Sequence, residues 1–142
     1  MIRVDIEGLD KMIADIDKMP KSFQDEISGV LERGSQLMVR NAKRDAPVDH
    51  GILKNSIDYS PKGKSLSYEV VCNVFYAPYV EWGTISHVSV PGELSAYASQ
   101  FKGKGIRKTG GIYPHPFFFK QQDVVRPELE KGIQALIDDL EI

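Results

Sequence analysis

Cysteine is almost missing from this 142-residue chain. Cys72 stands alone, which excludes an internal disulfide framework and is compatible with a reducing compartment. No apolar run approaches the ~18 residues of a membrane span, and no signal-peptide pattern opens the chain. An excess of one charge is missing too. Lys and Arg number 18 against 20 Asp and Glu, a net charge of −2, so there is no whole-protein basic field for nucleic acid. His50, His87 and His115 lie far apart and form no metal-spaced pair. Gly103, Lys104 and Gly105 are not followed by the GK[ST] of a phosphate loop. Ser56 with His50 and Asp49 has no nucleophile-elbow motif around it, and Glu81 and Glu93 have no spacing that implies paired acid–base work. The expectation is a protein without catalytic residues, metal or cofactor.

What is present is an ordinary globular composition, with 42% hydrophobic and 27% charged residues. The length suits one domain over 1–142. Aromatic residues are unevenly placed: all but Phe23 lie between Tyr59 and Phe119. The aliphatic, charged ends favour helices, and the aromatic, turn-rich middle favours strands and loops.

Arg3 to Glu7 alternates charged and apolar residues, a half-buried strand. Leu9, Met12, Ile13 and Ile16 predict a short amphipathic helix. The clearest element follows. Phe23, Ile27, Val30, Leu31, Gly34, Leu37, Met38 and Ala42 form one helical stripe, opposite Gln24, Glu32, Gln36, Arg40 and Lys43. Asp25 and Glu26 near its start and Arg40, Lys43 and Arg44 near its end suit the helix dipole, and Asp45 does not. Gly29 and Gly34 imply that another element packs closely there, and Pro47 stops the helix.

Asp49 is a candidate cap for a helical turn through Ile52 and Leu53. A strand at Ser56–Ser60, a hairpin loop at Pro61–Lys64 and a return strand at Leu66–Phe75 follow. The return strand places Leu66, Tyr68, Val70, Cys72 and Val74 on the face expected to pack on the long helix, with Cys72 as a small core residue. A single helical turn fits between Pro78 and Gly83. Residues 84–115 read as a long mobile loop, with a weak helix at Gly92–Phe101 and a basic, glycine-rich stretch at Lys102–Gly111. A final helix from about Lys120, with a kink or restart at Pro127, carries Val125, Leu129, Ile133, Leu136, Ile137 and Leu140. It ends in Asp138, Asp139 and Glu141, so its last turn should fray unless a partner covers it.

Three pieces occur in order: Ala46-Pro-Val-Asp-His-Gly-Ile-Leu-Lys-Asn-Ser-Ile57, Tyr76-Ala-Pro-Tyr-Val-Glu-Trp-Gly-Thr84 and Pro114-His-Pro-Phe-Phe-Phe119. Together they resemble the phage head–tail neck and tail-completion family named after gene product ten of phage HK ninety-seven. The family pattern reads AP-x-D-T-G-x-L-x-x-SI, then YA-x-x-VE-x-GT, then P-x-PF. Its positions here are Pro47, Asp49, Gly51, Leu53, Ser56 and Ile57; Tyr76, Ala77, Tyr79, Val80, Glu81, Trp82, Gly83 and Thr84; and Pro116 and Phe117. The chain departs from the pattern at His50, Trp82 and Phe118.

The resemblance implies a structural virion protein of a tailed phage or prophage, made and assembled in the host cytoplasm. It implies head–tail joining or tail completion, by ring assembly and docking to neck, connector or tail-tube proteins, with DNA as channel content and no membrane. A tail-terminator ring is the nearest alternative. More distant ones are a nucleic-acid-binding module using Lys102, Lys104, Arg107 and Lys108, and a small hydrolase in the aromatic middle. From the residues themselves, Gly51 is expected to adopt a backbone angle other residues resist. Leu53 and Ile57 should tether the turn to the core, Tyr79, Val80 and Trp82 should anchor the short helix, and Gly83 should let the chain leave it. Glu81 is expected to accept hydrogen bonds from backbone N–H groups of the 48–52 turn. The fold expected is α+β: an antiparallel sheet of three or more strands, packed against the long N-terminal helix and a C-terminal helix.

Overall fold

A computed structural model describes residues 1–7, 19–47, 51–62, 66–83 and 114–140. Strand β1 (Ile2–Glu7) alternates as its sequence does, with Ile2, Val4 and Ile6 buried and Arg3 and Asp5 exposed. Helix α1 (Lys21–Asp45) follows Pro20, whose carbonyl accepts the Gln24 N–H at 3.1 Å. The expected stripe is buried, save that Leu37 is half-buried. Asp25 and Glu26 fall beyond the first turn, which holds no acid, whereas Lys43 and Arg44 occupy the last. Ala46 ends the helix in an extended conformation, ψ 144°, as a residue before proline prefers.

Short α2 (Gly51–Asn55) leads into β2 (Ile57–Pro61), which pairs antiparallel with β3 (Ser67–Cys72). β1 pairs with the other edge of β3, so the sheet order is β1-β3-β2. Ile2 and Ile57 both register with Cys72. β2 begins one residue later than expected because Ser56 still closes α2, its N–H donating to Ile52 and Leu53 carbonyls. β3 stops at Cys72 rather than Phe75. The Asn73 N–H still bonds the Ser56 carbonyl (3.3 Å), the next pair in register, but the Ser56 N–H is spent on α2, and the Ala77 N–H closes a turn on Val74 (3.2 Å) that starts α3 (Ala77–Trp82). Tyr68, Val70 and Cys72 are buried under α1, with Leu66 and Val74 half-buried.

A polar row on α1 does what its sequence did not suggest. Ser28 Oγ lies 3.1 Å from the Tyr68 hydroxyl. Gln36 Nε2 donates to the Tyr59 hydroxyl at 2.9 Å, and that hydroxyl donates to Glu32 Oε1 at 3.2 Å. These residues, four apart, share one helix face, and they tie α1 to the sheet.

Helix α4 (Gln121–Leu140) runs antiparallel along α1 and packs on it rather than on the sheet. A Cβ on Gly34 would lie 2.5 Å from Leu129 Cδ2, and one on Gly132 would lie 3.0 Å from Val30 Cγ1. Close packing at Gly34 is therefore the work of α4. Gly29 differs: its Cβ would meet only Arg33 of its own helix, at 3.4 Å. α4 continues through Pro127 without a restart, although a proline there removes the N–H that the Asp123 carbonyl would accept and crowds that carbonyl with its ring. Val125, Leu129 and Ile133 are buried, and Leu136 and Ile137 half-buried. The chain is α+β, a three-stranded antiparallel sheet with α1 and α4 layered on one face.

These contacts define two ends. Ser28 sits over Tyr68 and Gln36 over Tyr59, so α1 runs toward the Cys72 end of the sheet. That end gathers the close of α1, the start of α4, α2, α3 and the first residues of β1 and β2. The opposite end holds the start of α1 and the close of α4. No described helix is long and apolar enough to cross a membrane. The helix expected at 9–16, Asp49, His50, the hairpin tip at 63–64, Thr84, the stretch 84–113 with its weak helix and basic cluster, the Leu140 side chain and Glu141 lie outside the described residues.

Candidate functional site

The second and third motif pieces meet at α3. Pro78 stands in its first turn, where a missing N–H costs nothing. Val80, Glu81 and Trp82 are buried, and Tyr76 and Tyr79 half-buried. Gly83 ends the helix at φ 74° and ψ 177°, a region essentially reserved for glycine, while its N–H reaches the Tyr79 carbonyl at 2.7 Å.

Glu81 is the centre of the arrangement. Its carboxylate is 3% exposed and accepts three backbone N–H groups: Phe117 and Phe118 on Oε2, both at 3.0 Å, and Phe119 on Oε1 at 3.2 Å. Its role as an acceptor is as expected, but the donors belong to residues 117–119 rather than to the 48–52 turn. The reason is that residues 114–119 return alongside α3. The His115 N–H donates to the Val80 carbonyl at 2.8 Å, and Trp82 stacks on Phe119 with centroids 5.3 Å apart. Burial pushes the Glu81 carboxyl above the ordinary glutamate range and outweighs the three amide donors acting the other way. Phe117 and Phe118 are fully buried, and Pro116 is exposed.

A second carboxylate locks the same region from outside. Asp45, the misfit at the end of α1, receives Arg44 Nε at 2.9 Å, Gln121 Nε2 at 2.8 Å and Lys120 Nζ at 3.2 Å. The Arg44 bond, then the Gln121 bond, hold its carboxyl well below the usual aspartate range. Gln121 is buried and also donates to the Phe117 carbonyl at 3.1 Å. His115 Nε2 lies 3.3 Å from the Asp45 carbonyl oxygen. Sequence reasoning missed Asp45, Lys120, Gln121 and His115 as one group. The mismatch of Asp45 with the helix dipole was the one signal that something opposite must answer it.

The first motif piece packs rather than reacts. Leu53 and Ile57 are buried, Pro47 is half-buried, and Ala77 of the second piece is buried at the start of α3. Ser56 Oγ donates to the Leu53 carbonyl at 2.7 Å and lies 3.3 Å from Cys72 Sγ. Burial pushes the Cys72 thiol up, which leaves it a core residue and not a nucleophile. Gly51 corrects an expectation. It is the exposed first residue of α2 with no positive φ, and a Cβ there would meet nothing within 4 Å. Among the described residues, no three His, Cys, Asp or Glu side chains are grouped to hold a metal ion. The site's chemistry is satisfaction of buried polar groups, which holds a surface in shape.

One family model matches the chain, over residues 10–83: "Bacteriophage HK97-gp10, putative tail-component". The match contains the first motif piece and the second as far as Gly83, so the Glu81 bonds join the matched region to residues 117–119 beyond it. No curated protein and no solved structure matches the chain. With half its length inside that family model, the chain belongs to the HK97-gp10 family of phage tail components, whose role in the virion is structural.

Proposed function

We propose that this tail component acts in head–tail joining or tail completion, as one subunit of a ring that docks onto neck, connector or tail-tube proteins around the channel DNA traverses. Family membership supports the broad role. The observation that carries the finer one is the Glu81 clamp. The most deeply buried carboxylate described is committed to fixing α3 against residues 117–119. It does so at the end of the molecule where Ile52 and Phe75 remain exposed. A rigid frame that leaves large apolar side chains in water suits a subunit built to be covered by neighbours. Assembly in the host cytoplasm and residence in the finished virion follow from that role. The basic residues Lys102, Lys104, Arg107 and Lys108 are too few for autonomous tight DNA binding, and DNA enters as channel content.

Deletion of the gene from its phage or prophage, with electron microscopy of the lysate, tests the reading. Unjoined heads and tails are expected for a neck role, and tails of irregular length for a terminator role. Either defect is repaired when the protein is supplied from a plasmid. Normal yields of infectious particles without the protein would overturn it.

A further inference from the structure

The described residues expose four large hydrophobic side chains, and all four lie at one end of the molecule. Phe75 is 80% exposed, Ile52 72%, Val124 51% and Met1 49%. The backbone places them together. Met1 precedes Ile2, which registers with Cys72. Phe75 follows Asn73, whose N–H binds the Ser56 carbonyl, and the Ser56 N–H binds the Ile52 carbonyl. Val124 lies in the first turn of α4, which starts against Asp45 through Gln121.

The two ends also differ in charge. With the apolar side chains stand Arg40, Lys43, Arg44, Lys54 and Lys120, against Asp45, Asp58 and Asp123. At the other end Asp25, Glu26, Asp138 and Asp139 are exposed, and the lysine of the first turn of α1, Lys21, sits on Asp25 at 3.4 Å. Asp138 and Asp139 close α4, where the helix dipole already disfavours negative charge and the last turn carries no basic residue. That second end also holds the Lys62–Asp5 pair at 2.7 Å, and Asp138 accepts Gln134 Nε2 at 2.8 Å. Among the described residues one end is thus apolar and net basic and the other net acidic, with a local cost that an incoming cation would relieve.

We infer that copies of this chain associate head to tail, the end bearing Ile52, Phe75 and Val124 seating on the acidic end bearing Glu26, Asp138 and Asp139 of the next copy. The inference rests on the ring reading above and names the surfaces that build the ring. Two different surfaces meet, so the contact is heterologous and closes into a ring when its rotation divides a full turn.

The test uses the full chain and two blocked variants, Phe75→Asp with Ile52→Glu at one end and Asp138→Lys with Asp139→Lys at the other. All four side chains are exposed, and matching thermal melts establish that each variant folds. Wild type should form oligomers by sedimentation or native mass measurement, and they should weaken as salt rises. Each variant alone should lose about thirtyfold or more in association. An equimolar mixture of the two should stop at a dimer, since each partner retains one working end. Wild type that stays monomeric at every concentration would overturn self-assembly and with it the ring reading. Wild-type oligomers that survive in both variants, or a mixture no larger than either variant alone, would overturn this surface assignment and leave the ring reading standing.

Discussion

Glu81 stands where a structural carboxylate does the most. Removing it leaves the N–H groups of Phe117, Phe118 and Phe119 buried without their acceptor, at about 1–3 kcal/mol for each group left unpaired. Glu81→Ala should therefore lower stability by about 3 kcal/mol or more, read from a fall in the urea midpoint at unchanged slope. Glu81→Gln keeps the volume but turns an amide NH2 toward amide donors, and it should lose about 2 kcal/mol. An unchanged midpoint for Glu81→Gln would show that the second carboxylate oxygen is dispensable. That Glu81 would accept backbone N–H groups was legible from its place in the motif. Which donors reach it was not, because Phe117 to Phe119 lie more than thirty positions away and no local periodicity reports that distance.

At the scale of elements, the α1–α4 contact depends on small residues. Gly29 and Gly34 look alike in sequence and differ in structure. At Gly29 a methyl group meets only Arg33 Nη1 at 3.4 Å, so Gly29→Ala should gain most of the roughly 1 kcal/mol of helix propensity. At Gly34 the same methyl group falls 2.5 Å from Leu129 Cδ2 and 3.1 Å from its Cγ. Because the Leu129 Cγ as well as its Cδ2 is too close, a turn of the leucine tip alone does not clear the methyl group, so overpacking of about 1–3 kcal/mol should outweigh the propensity gain and Gly34→Ala should destabilise. Thermal melts of the two variants should shift in opposite directions, and a shift of Gly34→Ala upward would refute the close crossing. The elements themselves were readable from hydrophobic period. The strand ends moved because the Ser56 N–H is spent on closing α2 and the chain after Asn73 turns into α3, so neither strand extends further.

For the molecule as a whole, Asp45 links the end of α1 to the start of α4 and so makes that link sensitive to acid. Its folded pKa lies below the unfolded value of about 3.9. Its stabilisation is therefore complete above that value and lost as pH falls through the folded one. Wild type should lose the Asp45 contribution progressively as pH falls below about 4. Asp45→Asn should be weaker at pH 7 by roughly 1 kcal/mol and flatter on the acid limb. Glu81 acts with the opposite sign, since its folded value is raised, so the Asp45 contribution is read as the difference between variant and wild type across a pH series of denaturation curves. Parallel acid limbs in the two proteins would remove Asp45 from the account.

Local pattern alone determined a good deal here. Period-two alternation in Ile2–Glu7, the long apolar stripe of Lys21–Asp45 and the stripe of Gln121–Leu140 each specify an element and its buried face, because burial of one face requires that spacing whatever lies opposite. Tertiary structure alone decided that β3 lies between two edges, that α4 settles on α1 through Gly34, and that residues 117–119 come under Glu81. Those outcomes turn on which unpaired polar groups and which apolar stripes find each other in space, and chain spacing carries no record of that.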